Sequence, residues 1–257
     1  MNILEKIMAQ KAVEVSPLSR TLKNAKPTKS KRDFKAAITK KGDHPKLIAE
    51  IKKASPSRGA IFPGADILDI AEIYEKNGAA ALSVLTDMEF FHGSLASLHT
   101  ISREVEIPVL RKDFIIDKLQ ILEARLSEAD AVLLMVTVLK TSEKIKELRE
   151  YAESLGMDCL VETHDENEIK IALEAGATII GVNARNFSDL SIDLSNFQKL
   201  LPLIPDNCVK VAESGLNDLK EVLKVAPLCD AILVGTHFMK TQDYDQIAVL
   251  TKEFANQ

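Results

Sequence analysis

The stretch MDCLVETHDENEIKIALEAGATIIGVN, residues 157–183, reads as one complete structural unit. MDCLVET (157–163) is apolar until Glu162, DENEIKIALEAGA (165–177) spaces its apolar residues at three and four, and TIIGVN (178–183) is apolar again. Gly176 falls where a left-handed residue ends a helix and turns the chain back. Runs that stay apolar instead of alternating mark strands buried on both faces, as in a parallel sheet covered by helices.

Outward from this unit the pattern repeats. KLIAEI (46–51), AALSVLT (80–86), IPVLRKD (107–113), ADAVLLMV (129–136), VKVAES (209–214) and DAILVG (230–235) bring the expected strands to eight. Their spacing averages about 26 residues, enough for a strand, a helix and two short loops. IIDKLQILEARLSEA (115–129) and KTSEKIKELREYAESLG (140–156) have helical spacing, and Gly78 and Gly156 stand where Gly176 does. Eight such units predict an α/β fold, a (β/α)8 TIM barrel formed as a single domain over residues 1–257. No G-x-G-x-x-G follows the first strand, which argues against an open dinucleotide-binding sheet. Residues 1–45 differ: a loose apolar face (Leu4, Ile7, Met8, Val13, Val15) and then a Lys-rich stretch. They are expected to form an N-terminal helical extension over the barrel mouth.

Composition bounds the function. The 257 residues carry 33 Lys+Arg against 38 Asp+Glu, a formal charge of −5, which removes the electrostatic case for binding nucleic acid or an anionic membrane. Cys159, Cys208 and Cys229 are odd in number and lack metal-ligand spacing, so they read as reduced core residues, and no metal is expected. The N-terminus MNILEKIMAQKAVEV lacks the apolar region of a signal peptide, and the longest apolar stretch, 131–139, is far short of a membrane span of about 20 residues. A cytoplasmic protein, monomeric or weakly homodimeric, is expected.

A barrel gathers its chemistry at the carboxyl ends of the strands, where the βα loops converge. Here the first, third, fifth, sixth and seventh apolar runs give way to charged residues at that end. Side chains alternate along a strand, so Glu50 and Lys52 share a face, as do Leu110 and Lys112. If these faces point inward, Glu50, Lys52, Lys112, Glu162, Asn183, Arg185 and Glu213 meet in one cup of three carboxylates and three cations. Such a cluster is costly to desolvate unless cross-paired, which favours a functional reason for it. Ser214-Gly215 and Gly235-Thr236, after the last two strands, suit backbone approach to a phosphate. The Ser55-Pro56-Ser57-Arg58-Gly59 loop adds hydroxyls and a cation near the same mouth.

IAEIKKASPSRG (48–59), LRKDFIID (110–117), VETH (161–164), VNARN (182–186), VAESG (211–215) and LVGTHFM (233–239), in this order, closely resemble the indole-3-glycerol phosphate synthases of tryptophan biosynthesis. The likeness spans nearly the whole chain, including the N-terminal ILEKI. It implies a lyase that closes a ring on a carboxyphenylamino-deoxyribulose phosphate with loss of CO2 and water, and that needs no cofactor. It also implies roles. Lys112 is the general acid at the ketone and Glu162 the general base of dehydration, while Lys52 grips the substrate carboxylate; which lysine donates the proton of dehydration stays open. Glu50, Asn183 and Glu213 orient these groups, and Arg185 lies near the ring. Ser55 stands beside the phosphate loops formed by Ser214, Gly215, Gly235 and Thr236, and Phe91 and Phe114 wall the aromatic ring. Phe187 stands where a leucine is common in the family, and the chain has no tryptophan to serve as an aromatic from the N-terminal segment. Clustering with Lys52 and burial would lower the pKa of Lys112, whereas the three glutamates would raise it. Two other readings remain open: a barrel aldolase using Lys52 or Lys112 as a Schiff base, and a non-catalytic sugar-phosphate-binding subunit.

Overall fold

The computed structural model describes residues 3–27, 32–56, 59–186 and 190–256. Eight parallel strands close a barrel: β1 (Lys46–Ile51), β2 (Ala81–Leu85), β3 (Val109–Lys112), β4 (Ala131–Met135), β5 (Asp158–Thr163), β6 (Ile179–Asn183), β7 (Val209–Glu213) and β8 (Ala231–Val234). Each strand pairs with its sequence neighbour, and β1 completes the ring by pairing with β8, Lys46 opposite Ala231 and Ala49 opposite Val234. The eight strand positions and the (β/α)8 class agree with the sequence reading. The run at 129–136 ends early, because Val136–Leu139 turns into a short helix.

Burial on both faces explains the unbroken apolar runs. Ile48, Leu110, Leu133, Leu160, Ile179, Val211 and Leu233 fill the interior. Their neighbours in sequence, such as Leu47, Val132, Val161, Ile180 and Ile232, point outward and pack under the helices. Helix Glu166–Glu174 shows how the sequence sets its boundaries. Asp165 caps its start by accepting from the Glu168 amide at 2.8 Å, and Gly176 follows its end at φ 75°. The three cysteines are free and buried, as expected of core thiols.

The N-terminal extension divides between the two ends of the barrel. Helix Ile3–Val15 lies at the carboxyl mouth, where Ile3 and Ile7 line the same cavity as Lys112. Helix Phe34–Ile38 lies at the opposite end. Its Lys35 amide donates to Asp158 at the start of β5 at 2.9 Å, and Phe34 and Ile38 close the interior beside Ala131, Val209 and Ala231. The expectation that residues 1–45 cover the mouth is therefore corrected for their second part. The apolar spacing of FKAAI suits a floor plug as well as a lid.

Candidate active site

The pleat carries Glu50 and Lys52 (β1 and just beyond), Lys112 (β3), Glu162 (β5), Asn183 (β6) and Glu213 (β7) inward at one end of the barrel. Glu50, Lys52, Lys112, Asn183, Arg185 and Glu213 line a single cavity together with Ser55, Phe91, Phe114, Ser214, Gly215, Gly235 and Thr236. Glu162 is the exception among the candidate residues. Its side chain is 0% exposed and sits behind Lys112, whose Nζ lies 3.3 Å from Glu162 Oε2 and 3.9 Å from Glu213 Oε2. Lys52 Nζ lies 2.5 Å from Glu50 Oε1, and the Ser83 hydroxyl donates to Glu50 Oε2 at 3.4 Å. Strand register supports these neighbours, since Glu50 pairs with Ser83 and Asn183 with Glu213.

Two glycines make room for the carboxylates. A Cβ on Gly181 would stand 2.0 Å from Glu213 Oε1, and one on Gly235 would stand 2.7 Å from the Glu50 Cβ. Both positions point into the barrel, and any side chain there would occupy the space that the acids fill. Gly235 was expected at a phosphate loop; it lines the cavity there and also accommodates Glu50.

Electrostatics separates the charged groups. Burial works against the charge on Lys112, but Glu162, Glu213 and Glu50 outweigh it and raise its pKa above the ordinary lysine value. Of the two opposing influences foreseen for this lysine, the carboxylates win. Burial also opposes ionisation of Glu162, yet Lys112 and His164 hold its pKa below the usual carboxylate range. Glu213 goes the other way: burial, then the adjacent Glu162 charge, push its pKa well up. Two acids so close oppose each other's ionisation, and their pKa values part, that of Glu162 going down and that of Glu213 up. Glu50 is held low because Lys52 and Lys112 overcome its burial.

At the aromatic side, the Phe91 and Phe114 rings lie 6.1 Å apart. Arg185 donates through Nη1 to the Leu190 carbonyl at 3.1 Å, and its amide is held by Asn183 Oδ1 at 2.9 Å. On the rim, Ser214 and Gly215 take consecutive positive φ values of 70° and 83°, a tight turn that brings backbone to the edge of the cavity both residues line. Ser57, Arg58 and Phe187 lie outside the described residues.

Two participants escaped sequence reasoning. His164, inside the VETH motif, places Nε2 3.5 Å from Glu162 Oε1, and its Nδ1 lies 3.1 Å from Glu168 Oε2. Burial would lower its pKa, but Glu168 and Glu162 raise it. The i, i+2 spacing from Glu162 was the available signal, since it puts both side chains on one face. The second is Lys11, buried beside Asp87 and Asp113. It offered no signal, because a lysine on a charged N-terminal helix reads as a solvated residue. Among the described residues no helix is long and apolar enough to cross a membrane.

Comparison with known proteins places the chain in a family. The family model for indole-3-glycerol phosphate synthase matches residues 4–250. A protein of Chlorobium phaeovibrioides named indole-3-glycerol phosphate synthase is 43% identical over 91% of this chain and 93% of its own. One of the same name from Endomicrobium trichonymphae is 46% identical over 93% of this chain and 95% of its own. A third, from Campylobacter jejuni subsp. doylei, is 48% identical over 82% of each. A solved structure from Aquifex aeolicus, described only as a structural study, superposes with a TM-score of 0.61 at 14% identity. It covers 86% of this chain and 94% of its own, a likeness of fold alone. With its barrel, its cup of opposed charges and a match across nearly its whole length, this chain belongs to the indole-3-glycerol phosphate synthase family.

Proposed function

We propose that this chain acts as a carboxy-lyase that converts 1-(2-carboxyphenylamino)-1-deoxyribulose 5-phosphate into indole-3-glycerol phosphate, CO2 and water. The observation that carries the reading is Lys112, an ammonium on the cavity wall backed by Glu162 at 3.3 Å and Glu213 at 3.9 Å. Ring closure forms a bond between the carboxylate-bearing aromatic carbon and the ketone carbon. Negative charge develops on the ketone oxygen, and Lys112 protonates it in a water-poor pocket. Lys52, steadied by Glu50, holds the substrate carboxylate until it departs as CO2. Departure of CO2 restores the benzene ring; Lys52 then protonates the leaving hydroxyl, while Glu162 removes the proton from the carbon beside the nitrogen, which makes the new five-membered ring aromatic. Glu162 hands that proton to the neighbouring neutral Lys112, which returns both groups to their starting state. Loss of a carboxylate as CO2 consumes one proton overall, and Lys52, 17% exposed, recovers it from solvent.

Asn183 and Glu213 orient Lys112 and Glu162, and Arg185 lies against the ring end of the substrate. Phe91 and Phe114 take its aromatic face. The phosphate of the sugar chain sits on the Ser214–Gly215 and Gly235–Thr236 loops with the Ser55 hydroxyl, away from the carboxylates that would repel it. The raised pKa of Lys112 argues against a Schiff-base role, which needs a neutral amine. No cofactor enters this sequence of steps. Three buried thiols fit a reducing, cytoplasmic setting, and a monomer or weak homodimer suffices because all the proposed catalytic groups come from one chain.

The chain contains no tryptophan. Indole emission rising after addition of the carboxyphenylamino-deoxyribulose phosphate is the expected result. No emission from folded protein with authentic substrate, or borohydride trapping of a protein–substrate adduct, would overturn the reading.

A further inference from the structure

Lys11 is a buried titratable group beside the cavity that these steps leave unused. Its side chain is 1% exposed, although the residues beside it on the helix, Gln10 and Ala12, are half-buried and exposed. Its Nζ lies 2.8 Å from Asp87 Oδ2, 2.9 Å from Asp113 Oδ1 and 2.8 Å from Glu14 Oε2. Burial works against its charge, but Asp113, Asp87 and Glu14 outweigh this and raise its pKa.

Each partner has a second task. Asp87 follows β2 and caps the turn Met88–Phe91 by accepting from the Phe90 amide at 2.7 Å, so it sets the ring of Phe91. Asp113 directly follows Lys112. It accepts from the Phe114 amide at 2.8 Å, from Arg111 Nη2 at 3.0 Å and from the Thr86 hydroxyl at 2.5 Å. One ammonium thus joins three segments: the helix that brings Ile3 and Ile7 to the cavity, the turn bearing Phe91, and the strand end bearing Lys112 and Phe114. A buried ion cluster adds little stability over an apolar residue of equal volume, so what distinguishes this one is the set of segments its partners tie together. An apolar side chain at position 11 would bury as well and would leave the register of these segments unspecified.

We propose that Lys11 is a positioning residue for ring closure: clamped between Asp87 and Asp113, it latches the N-terminal helix onto the two loops that shape the aromatic subsite. The inference rests on the activity proposed above. It assigns Lys11 no contact with substrate, and its effect passes through Phe91, Phe114 and the backbone of Lys112. The phosphate loops follow β7 and β8, whereas the latch joins the N-terminal helix to the ends of β2 and β3.

The test uses Lys11→Met, Asp87→Asn and the double variant in the full chain. Steady-state formation of indole product gives kcat and KM, and inorganic phosphate serves as a competitive inhibitor that reports on the phosphate loops. Misplacement of reacting groups by about 1 Å costs on the order of 10²-fold, so kcat/KM of Lys11→Met should fall by about 10- to 100-fold. The phosphate inhibition constant should stay within about twofold. Asp87→Asn should lose a similar factor, and the double variant little more than either single, as expected of one shared interaction. Wild-type-like kinetics in Lys11→Met would overturn the latch. So would multiplicative losses in the double variant, or a phosphate constant that weakens in step with KM. Absence of indole product from the wild type would instead refute the proposed activity and leave those outcomes distinct.

Discussion

Replacing Gly181 with alanine adds a methyl group 2.0 Å from Glu213 Oε1, 3.1 Å from its Cδ and 3.3 Å from Leu160 Cδ1. Ordinary contact begins at 3.4 Å, so the carboxyl group must retreat by about 1.4 Å. Strand β6 is not strained by the change, because glycine inside a strand already costs about 0.5–1 kcal/mol relative to alanine. Overpacking a buried site costs about 1–3 kcal/mol, partly offset by that gain. A net loss of about 1 kcal/mol corresponds to a fall in Tm of about 2–4 °C for a chain of this size. Catalysis is more sensitive. Glu213 stands 3.9 Å from Lys112 and presses on Glu162, so its displacement moves the charges around the acid. A shift of this size costs on the order of 10²-fold in kcat, equivalent to about 3 kcal/mol of barrier. The assay pairs indole emission under saturating substrate with thermal unfolding of the same sample. A Gly181→Ala protein with kcat within twofold of wild type would refute the claim that the missing side chain exists to seat Glu213. So would a loss of activity no greater than the loss of stability explains.

Two further outcomes follow from the same charges. Glu162→Gln keeps the shape and removes the base, so single-turnover traces should show ring closure near the wild-type rate and dehydration slowed by about 10²-fold or more; a defect confined to the first step would reverse the assignment. Burial raises the Asp113 pKa, but Arg111 and Lys11 outweigh it and bring it down to about 2. A depressed carboxylate pKa means stability that is present above the unfolded value and lost as pH falls through the folded one. The drop from 3.8 to about 2 is worth about 2 kcal/mol. Asp113→Asn should therefore show a flatter stability profile than wild type between about pH 4 and pH 2 in denaturant titrations, and an unchanged profile would contradict the network.

The barrel was legible because its rules are local. Non-alternating apolar runs and helical spacing recur from unit to unit, a glycine follows the helix in three of them, and each signal depends on residues a few positions apart. The inward placement of Glu50, Lys112, Glu162 and Glu213 was legible for the same reason, since the pleat alternates strictly and each acid or lysine ends an apolar run. What the pleat does not reveal is how space is shared across strands. Gly181 reads as an ordinary strand glycine until Glu213 is seen to occupy its place. The pairing of Lys11 with Asp87 and Asp113 joins segments far apart in sequence, with no periodicity to announce it. The two carboxylates Glu162 and Glu213 look alike in sequence, and only their shared burial beside one lysine drives their pKa values apart. The extension split for a related reason: its apolar residues show that it packs, and the barrel offers two ends.

Lys112 is the residue on which ring closure depends most directly. Single-turnover formation of indole product by Lys112→Ala, followed by emission with thermal unfolding as a control, should be slower than wild type by at least about 10²-fold, with inorganic phosphate inhibiting both proteins alike. A folded Lys112→Ala protein that closes the ring at the wild-type rate would contradict the assignment of Lys112 as the acid.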